Sequence, residues 1–269
     1  MKNLTHLMLS LNEILFIGRE TFSGLDELEH LELDQSQISE IEPGAFSSLS
    51  NLKTLNLSSN KLGFTSPFFV QDFANLSRLE ILDLSHNALS NMPVTDFTFQ
   101  SVESLLLTGN RFRELDRLWI GPNLKYLDVS KNQISVYRPW SNSNESFSLE
   151  LLDFSSNHLL YLDKDLLEVF NQTHSLLLGD NPFICSCDML PYVRWLQKHA
   201  ANALVLDVPL CSYPKYIVGE PLLRLEEIIR CEIPVLATEI GNSYAAVRSS
   251  ASFVALSVSL IPVLRFAFY

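Results

Sequence analysis

Leucine recurs in one frame from Leu4 to Asn181: leucine, two residues, leucine, one residue, leucine, two residues, asparagine. The frames are Leu4/Leu7/Leu9/Asn12, Leu52/Leu55/Leu57/Asn60, Leu79/Leu82/Leu84/Asn87, Val102/Leu105/Leu107/Asn110, Leu124/Leu127/Val129/Asn132 and Leu149/Leu152/Phe154/Asn157. Leu28/Leu31/Leu33 closes on Ser36 instead, and a last frame, Leu176/Leu178/Asn181, begins at Thr173. The alternating part predicts a short strand with its leucines on one face and the intervening residues on the other. The chain must then turn, and an asparagine amide can satisfy backbone groups that the turn would bury unpaired. Ser36, with a shorter side chain, is expected to cap its turn less fully. Phe22, Phe46 and Phe73 stand three residues before Leu25, Leu49 and Leu76, which predicts a second apolar column on the return side. That regularity fades after Phe97 and Phe99.

Successive closing positions are 24, 24, 27, 23, 22, 25 and 24 residues apart, the period of leucine-rich repeats. A single repeat cannot cover its own apolar edge, so neighbours stack into one core. The expected fold is therefore an α/β leucine-rich repeat solenoid, curved, with short parallel strands on the concave face. Residues 1–181 form eight repeats, 182–233 a cysteine-rich cap, 234–250 a linker and 251–269 an apolar tail. No positively charged, apolar and cleavable leader precedes Leu4, and no cysteine-bearing cap covers the first repeat, so the chain is expected to lack an upstream signal, cap and further repeats.

Charge narrows the function. The net charge of −12 disfavours nucleic acid and anionic lipid at neutral pH. The expected concave positions hold Glu29, Glu32, Asp34, Glu80, Asp83, Glu103, Asp128, Glu150, Asp153 and Asp180 against Lys53, Lys125 and Lys131. His6, His30, His86 and His174 also fall there and could lower the acidity of that face at endosomal pH. Catalysis is not expected, because no nucleophile, base and orienting group are brought together and no phosphate-binding glycine loop is present. No cofactor is implied.

All four cysteines lie between Cys185 and Cys231, an even cluster that suggests disulfides in an oxidising compartment. A zinc site using Cys185, Cys187 and His199 competes, although C-x-C is shorter than the usual zinc spacing. Glycosylation sequons occur at Asn3, Asn56, Asn75, Asn144 and Asn171. Asn56 is placed on a concave strand, where a glycan would block the face. The two irregular spacings carry Phe68 and Phe69, and Tyr137, Arg138 and Trp140; exposed aromatics with an arginine are candidate partner contacts.

Asn181-Pro182-Phe183-Ile184-Cys185-Ser186-Cys187, Trp195, Cys211 and Cys231 resemble the cysteine-rich cap of leucine-rich repeat ectodomains. With the phenylalanine-bearing repeats, they resemble the membrane-proximal end of Toll-like receptor ectodomains. The resemblance implies the pairs Cys185–Cys211 and Cys187–Cys231. It also implies a receptor that binds a protein or microbial-type ligand, or a partner ectodomain, and acts by homo- or heteromeric ectodomain association in innate immune signalling. The segment Ala251–Leu264, ending before Arg265, reads as a short transmembrane helix. The alternative is a lipid-anchor signal with Gly241, Asn242 and Ser243 before it. Either puts the repeats on the extracellular or endosomal-lumenal side. A lipid-anchored or secreted adhesion or decoy protein shares every one of these features.

Overall fold

The computed structural model describes residues 3–64, 73, 76–92, 99–138, 148–200 and 205–231. These fall in one compact unit ending at Cys231. Its spine is a parallel sheet of eight strands, one per repeat: β1 (His6–Met8), β3 (His30–Glu32), β5 (Thr54–Asn56), β6 (Ile81–Asp83), β7 (Ser104–Leu106), β9 (Tyr126–Asp128), β11 (Leu149–Asp153) and β12 (Thr173–Leu177). The register aligns Leu7, Leu31, Leu55, Leu82, Leu105, Leu127, Leu152 and Leu176 in one row. From Leu31 onward that row is buried to 1% exposure or less. Parallel strands bury their hydrogen bonds only when a return segment covers the inner face. Here the returns include three short strand pairs: β2 (Phe16–Ile17) with β4 (Glu40–Ile41), β8 (Glu114–Asp116) with β10 (Val136–Arg138), and β13 (Phe183–Ile184) with β14 (Cys211–Tyr213).

The asparagines bind each repeat to the one before it. Asn132 donates from Nδ2 to the carbonyls of Val129 and Ser130 in its own turn and of Leu107 in the preceding strand, each at 3.0 Å. Its Oδ1 accepts from Phe112 N, again in the preceding repeat, at 3.1 Å. Asn60, Asn87, Asn110, Asn157 and Asn181 likewise reach back to Leu33, Leu57, Leu84, Val129 and Phe154. Ser36 is fully buried, and its hydroxyl reaches Leu9 O and Asp34 O. It thus keeps the contact to the preceding strand that the shorter side chain was expected to weaken. Asn132→Ala leaves a buried N–H and carbonyls without partners, and each such group costs about 1–3 kcal/mol. The expected loss is about 3 kcal/mol, read as a lower urea midpoint with the strand signal otherwise intact.

A second constraint lies one residue earlier. Leu11, Gln35, Ser59, His86, Gly109, Lys131, Ser156 and Asp180 all have positive φ, between 52° and 70°. Left-handed backbone is uncommon outside glycine. Stacking holds it, because the N–H at each position but the last donates to a carbonyl of the next repeat, as Ser59 does to Ser85 at 2.8 Å and Lys131 to Ser155 at 3.0 Å. His86 therefore belongs to a turn rather than to the strand face.

The phenylalanine column forms as expected, with Phe46 stacked between Phe22 and Phe73 at ring distances of 5.8 and 5.9 Å. Buried Phe99, three residues before Val102, takes the position that Leu25, Leu49 and Leu76 hold in earlier repeats, and Gly121 takes it in the next, where a Cβ would lie 2.2 Å from the Phe99 carbonyl oxygen. Trp119 fills the space nearby, edge-on to Phe112 at 4.7 Å, with its Nε1 donating to Met92 O. In the last repeat the return becomes helix α1 (Lys164–Phe170), capped by the Asp163 side chain, and Phe170 is fully buried.

Beyond Asn181, α2 (Leu190–Ala200) and α3 (Leu225–Ile228) close the array. Met189, Val193 and Leu196 are buried in the common core. Asp207 finishes the sheet. Its carboxylate accepts from Leu178 N at 2.9 Å, a donor that in earlier repeats goes to the next strand's carbonyl, and from Gly179 N, whose counterparts in earlier repeats donate to the aspartate or asparagine of their own turn.

Candidate functional site

The outward face of the eight-stranded sheet is a regular surface whose side chains are placed by strand register. Much of its acidity is internally engaged. Lys53 Nζ lies 2.8 Å from Glu29 Oε2, and Lys125 Nζ 2.7 Å from Glu103 Oε2. The Lys53 hydrogen bond holds the Glu29 carboxyl below its usual range, and Glu103 holds the Lys125 ammonium above its own. Tyr126 donates its hydroxyl to Glu150 at 2.5 Å, which raises the phenol's pKa. His6 and His30 stack at 4.4 Å across β1 and β3.

The aspartates one residue before the last leucine of a frame serve the turn. Asp83, Asp128 and Asp153 accept from the backbone N–H of Ser85, Ser130 and Ser155 at 2.8, 2.9 and 2.9 Å. Asn56 makes the same contact to Ser58 at 3.0 Å. The sequon at Asn56 is thus the turn motif of its neighbours with asparagine in place of aspartate, and this gives it a structural reason independent of any glycan. Burial raises the Asp128 pKa first; the Ser130 hydrogen bonds oppose this, and Asp153 adds to it.

Among these polar positions stands an apolar run not anticipated from the sequence: Ile81 on β6, Leu106 on β7, Tyr126 on β9, Leu151 on β11 and Leu177 on β12. Ile81 and Tyr126 are 40% and 42% exposed. Tyr126 and Leu151 are direct partners in register, while Leu106 and Leu177 lie two residues further along their strands. The bridge Leu176↔Val205 aligns Leu206, 55% exposed, beside Leu177. Each is an outward x of the frame, so the leucine pattern itself hides it.

The aromatic contact site expected in the irregular repeats is not formed by Tyr137. As the middle residue of β10 it pairs with Leu115, turns inward and is 9% exposed, which removes it as a partner contact. Burial pushes its phenol up to about 12. The unfolded chain releases that proton near pH ~10 while the folded chain retains it. Stability is therefore expected to fall as pH rises from 10 toward 12. Tyr137 should also lag furthest in a spectrophotometric titration, and Tyr137→Phe should remove that last step while leaving the smaller delay of Tyr126. Arg138 ends β10; Phe68, Phe69, Trp140, Asn75, Asn144 and the 234–269 linker and tail lie outside the described residues. Of the remaining sequons, Asn3 and Asn171 are exposed, and Asn171 caps the C-terminus of α1.

All four cysteines are joined, Cys185 to Cys211 and Cys187 to Cys231, with Cα separations of 5.6 and 5.8 Å. No thiolate remains for the competing zinc reading. Gly219 N donates to Cys211 O, and Arg194 on α2 pairs with Glu226 on α3 at 2.6 Å. These contacts hold the cap closed around its bridges.

Comparison with known proteins agrees with this architecture. Family models described as Leucine rich repeat match residues 2–62, 51–76 and 78–99. Mouse vasorin is 33% identical over 55% of this chain and 26% of its own length. Human Toll-like receptor 6 is 26% identical over 61% of this chain and 24% of its own. The crystal structure of human 5T4, the trophoblast glycoprotein, superposes with a TM-score of 0.64 at 26% identity, covering 81% of this chain and 84% of that one. The chain is a leucine-rich repeat protein whose solenoid is closed by a disulfide-stapled C-terminal cap. Its relatives divide between Toll-like receptors and proteins outside that family, and it spans about a quarter of the length of the curated relatives it matches.

Proposed function

We propose that this chain is the recognition part of a membrane-attached extracellular or lumenal protein, and that it binds a protein partner on the sheet face from β6 to β12. The apolar run from Ile81 to Leu177 carries this reading. Outward positions of a solvated sheet are ordinarily polar, and apolar residues gathered from two neighbouring rows among polar ones are the usual mark of a contact surface. On the Toll-like receptor reading, which the similarity to Toll-like receptor 6 supports, occupancy brings ectodomains together in innate immune signalling, with a protein or microbial-type ligand. The likeness to the trophoblast glycoprotein favours a second reading, an adhesion or accessory protein that holds its partner without signalling.

Expression of the parent open reading frame, with whatever it encodes before Met1, in secretory cells tests the placement. The expected product is oxidised, surface-accessible, and shortened on gels by N-glycosidase through glycans at Asn3 and Asn171. Asn56→Asp keeps the turn and removes only that sequon. Release by phosphatidylinositol-specific phospholipase would identify a lipid anchor; retention would identify a spanning tail. A reduced, unglycosylated cytosolic product would sink the reading. Reading the parent transcript past Tyr269 separates the two functions, since a cytoplasmic signalling domain belongs to the first alone.

A further inference from the structure

The sheet face proposed above as the contact surface also carries information on the chemistry of what it binds. Its third outward row reads Asp83, Leu106, Asp128, Asp153, Leu177 from β6 to β12. Asp128 and Asp153 are direct partners in register, so two carboxylates face outward on neighbouring strands. Like charges in that relation destabilise a sheet. The turn does not require them, because Asn56 makes the same hydrogen bond to Ser58 without a charge. Glu80, exposed at the edge of the run before Ile81, adds a further carboxylate. Lys125 is already engaged with Glu103 at 2.7 Å, so that ammonium is partly neutralised within the protein, and Lys131 is the cation that acts on Asp128.

We infer that the partner on this face is a protein segment with apolar or aromatic side chains flanked by lysine or arginine. The apolar groups cover Leu106, Tyr126, Leu151 and Leu177, and the cations sit over Asp83 and over the Asp128/Asp153 pair. This rests on the sheet face being the contact surface. A second copy of the same chain is the wrong occupant for this face. Self-pairing would set carboxylates against carboxylates, and like-charge juxtaposition across an interface is costly. Complementary charge also steers encounter and makes it dependent on salt.

The test uses the full chain, glycosylated and oxidised, immobilised as bait for a random-peptide display library. Three proteins are compared: the native chain, an Ile81→Ser/Tyr126→Ser/Leu151→Ser variant, and an Asp128→Asn/Asp153→Asn variant. Both variants change exposed or turn-compatible positions, and a matching melting temperature and far-UV spectrum confirm folding. Expected peptides are net basic with at least one aromatic or aliphatic anchor. Their affinity should fall by about a hundredfold on the serine variant and about two- to five-fold per neutralised aspartate, with a shallower salt dependence. Peptides that need the apolar residues but carry no net positive charge, or bind the asparagine variant equally, overturn this inference and leave the contact surface standing. Selected peptides that bind the serine variant undiminished, or no selected peptides at all, overturn both. Self-association of the native chain that the serine variant abolishes assigns the face to a second copy and overturns the basic-partner inference.

Discussion

Replacing Cys187 and Cys231 together with serine is expected to lower stability by about 4 kcal/mol, the chain-entropy value for a closed loop of this length. The bridge spans a sequence separation of 44 residues, against 26 for Cys185–Cys211, for which the same relation gives about 3.5 kcal/mol. The effect is not confined to the loop. Between Cys187 and Cys231 lie α2 and the segment carrying Asp207, and these cover the apolar end of the last repeat. Met189, Val193, Leu196, Leu222 and Leu225 are buried there to 2% exposure or less, so loosening the bridge uncovers a core and not merely a loop. The expected signature is an early unfolding step of the cap, with protease cuts between residues 187 and 231 at temperatures where the repeats still resist. A single cooperative melt at the native midpoint would show that packing alone holds the cap. Reduction of the native protein should reproduce the double variant and add the smaller loss from the first bridge.

Phe46→Ala is expected to cost about 3–5 kcal/mol, the range for removing a buried aromatic ring from a packed core. Phe46 is fully buried and lies between Phe22 and Phe73, so its removal opens a cavity within the ring stack. Phe46→Leu keeps most of the volume and should recover more than half of the loss. Stability in a repeat array is roughly a sum of intrinsic and nearest-neighbour terms, so the damage should spread first to the repeats of Phe22 and Phe73. Hydrogen exchange would show it as lost protection in β1, β3 and β5, with β11 and β12 little changed. Uniform loss across all strands would mean that the array melts as one cooperative block.

The comparison of sequence with structure has a physical pattern. The leucine row and the asparagines were legible because each position has one chemical solution: an apolar side chain facing a core, or an amide long enough to span two turns. The left-handed position before each asparagine was not. It is occupied by leucine, glutamine, serine, histidine, glycine, lysine, serine and aspartate, so no residue type announces it. At all but the last of these positions the N–H bonds to the following repeat, a partner that exists only once the stack has formed, so the pairing is written in the stack and not in the residue type. The acidic face was legible as a count of charges, but not as turn-forming aspartates and ion pairs. Tyr137 was misplaced because an aromatic in an irregular repeat suggests exposure, whereas pairing with β8 turns it inward. The apolar run escaped notice because its members come from two different outward rows and align only through register.

Asp207 gives the array a direction. By placing a carboxylate where the next strand's carbonyl would meet Leu178 N, it takes up a donor at the end of the sheet without offering another strand a matching edge. A stack ended in this way offers no repeat-like edge beyond β12 to a further strand. Backbone edges that lack such a stopper are templates for runaway pairing. The same side chain that completes the fold therefore also keeps a surface of ready-made strands from becoming a seed for filaments.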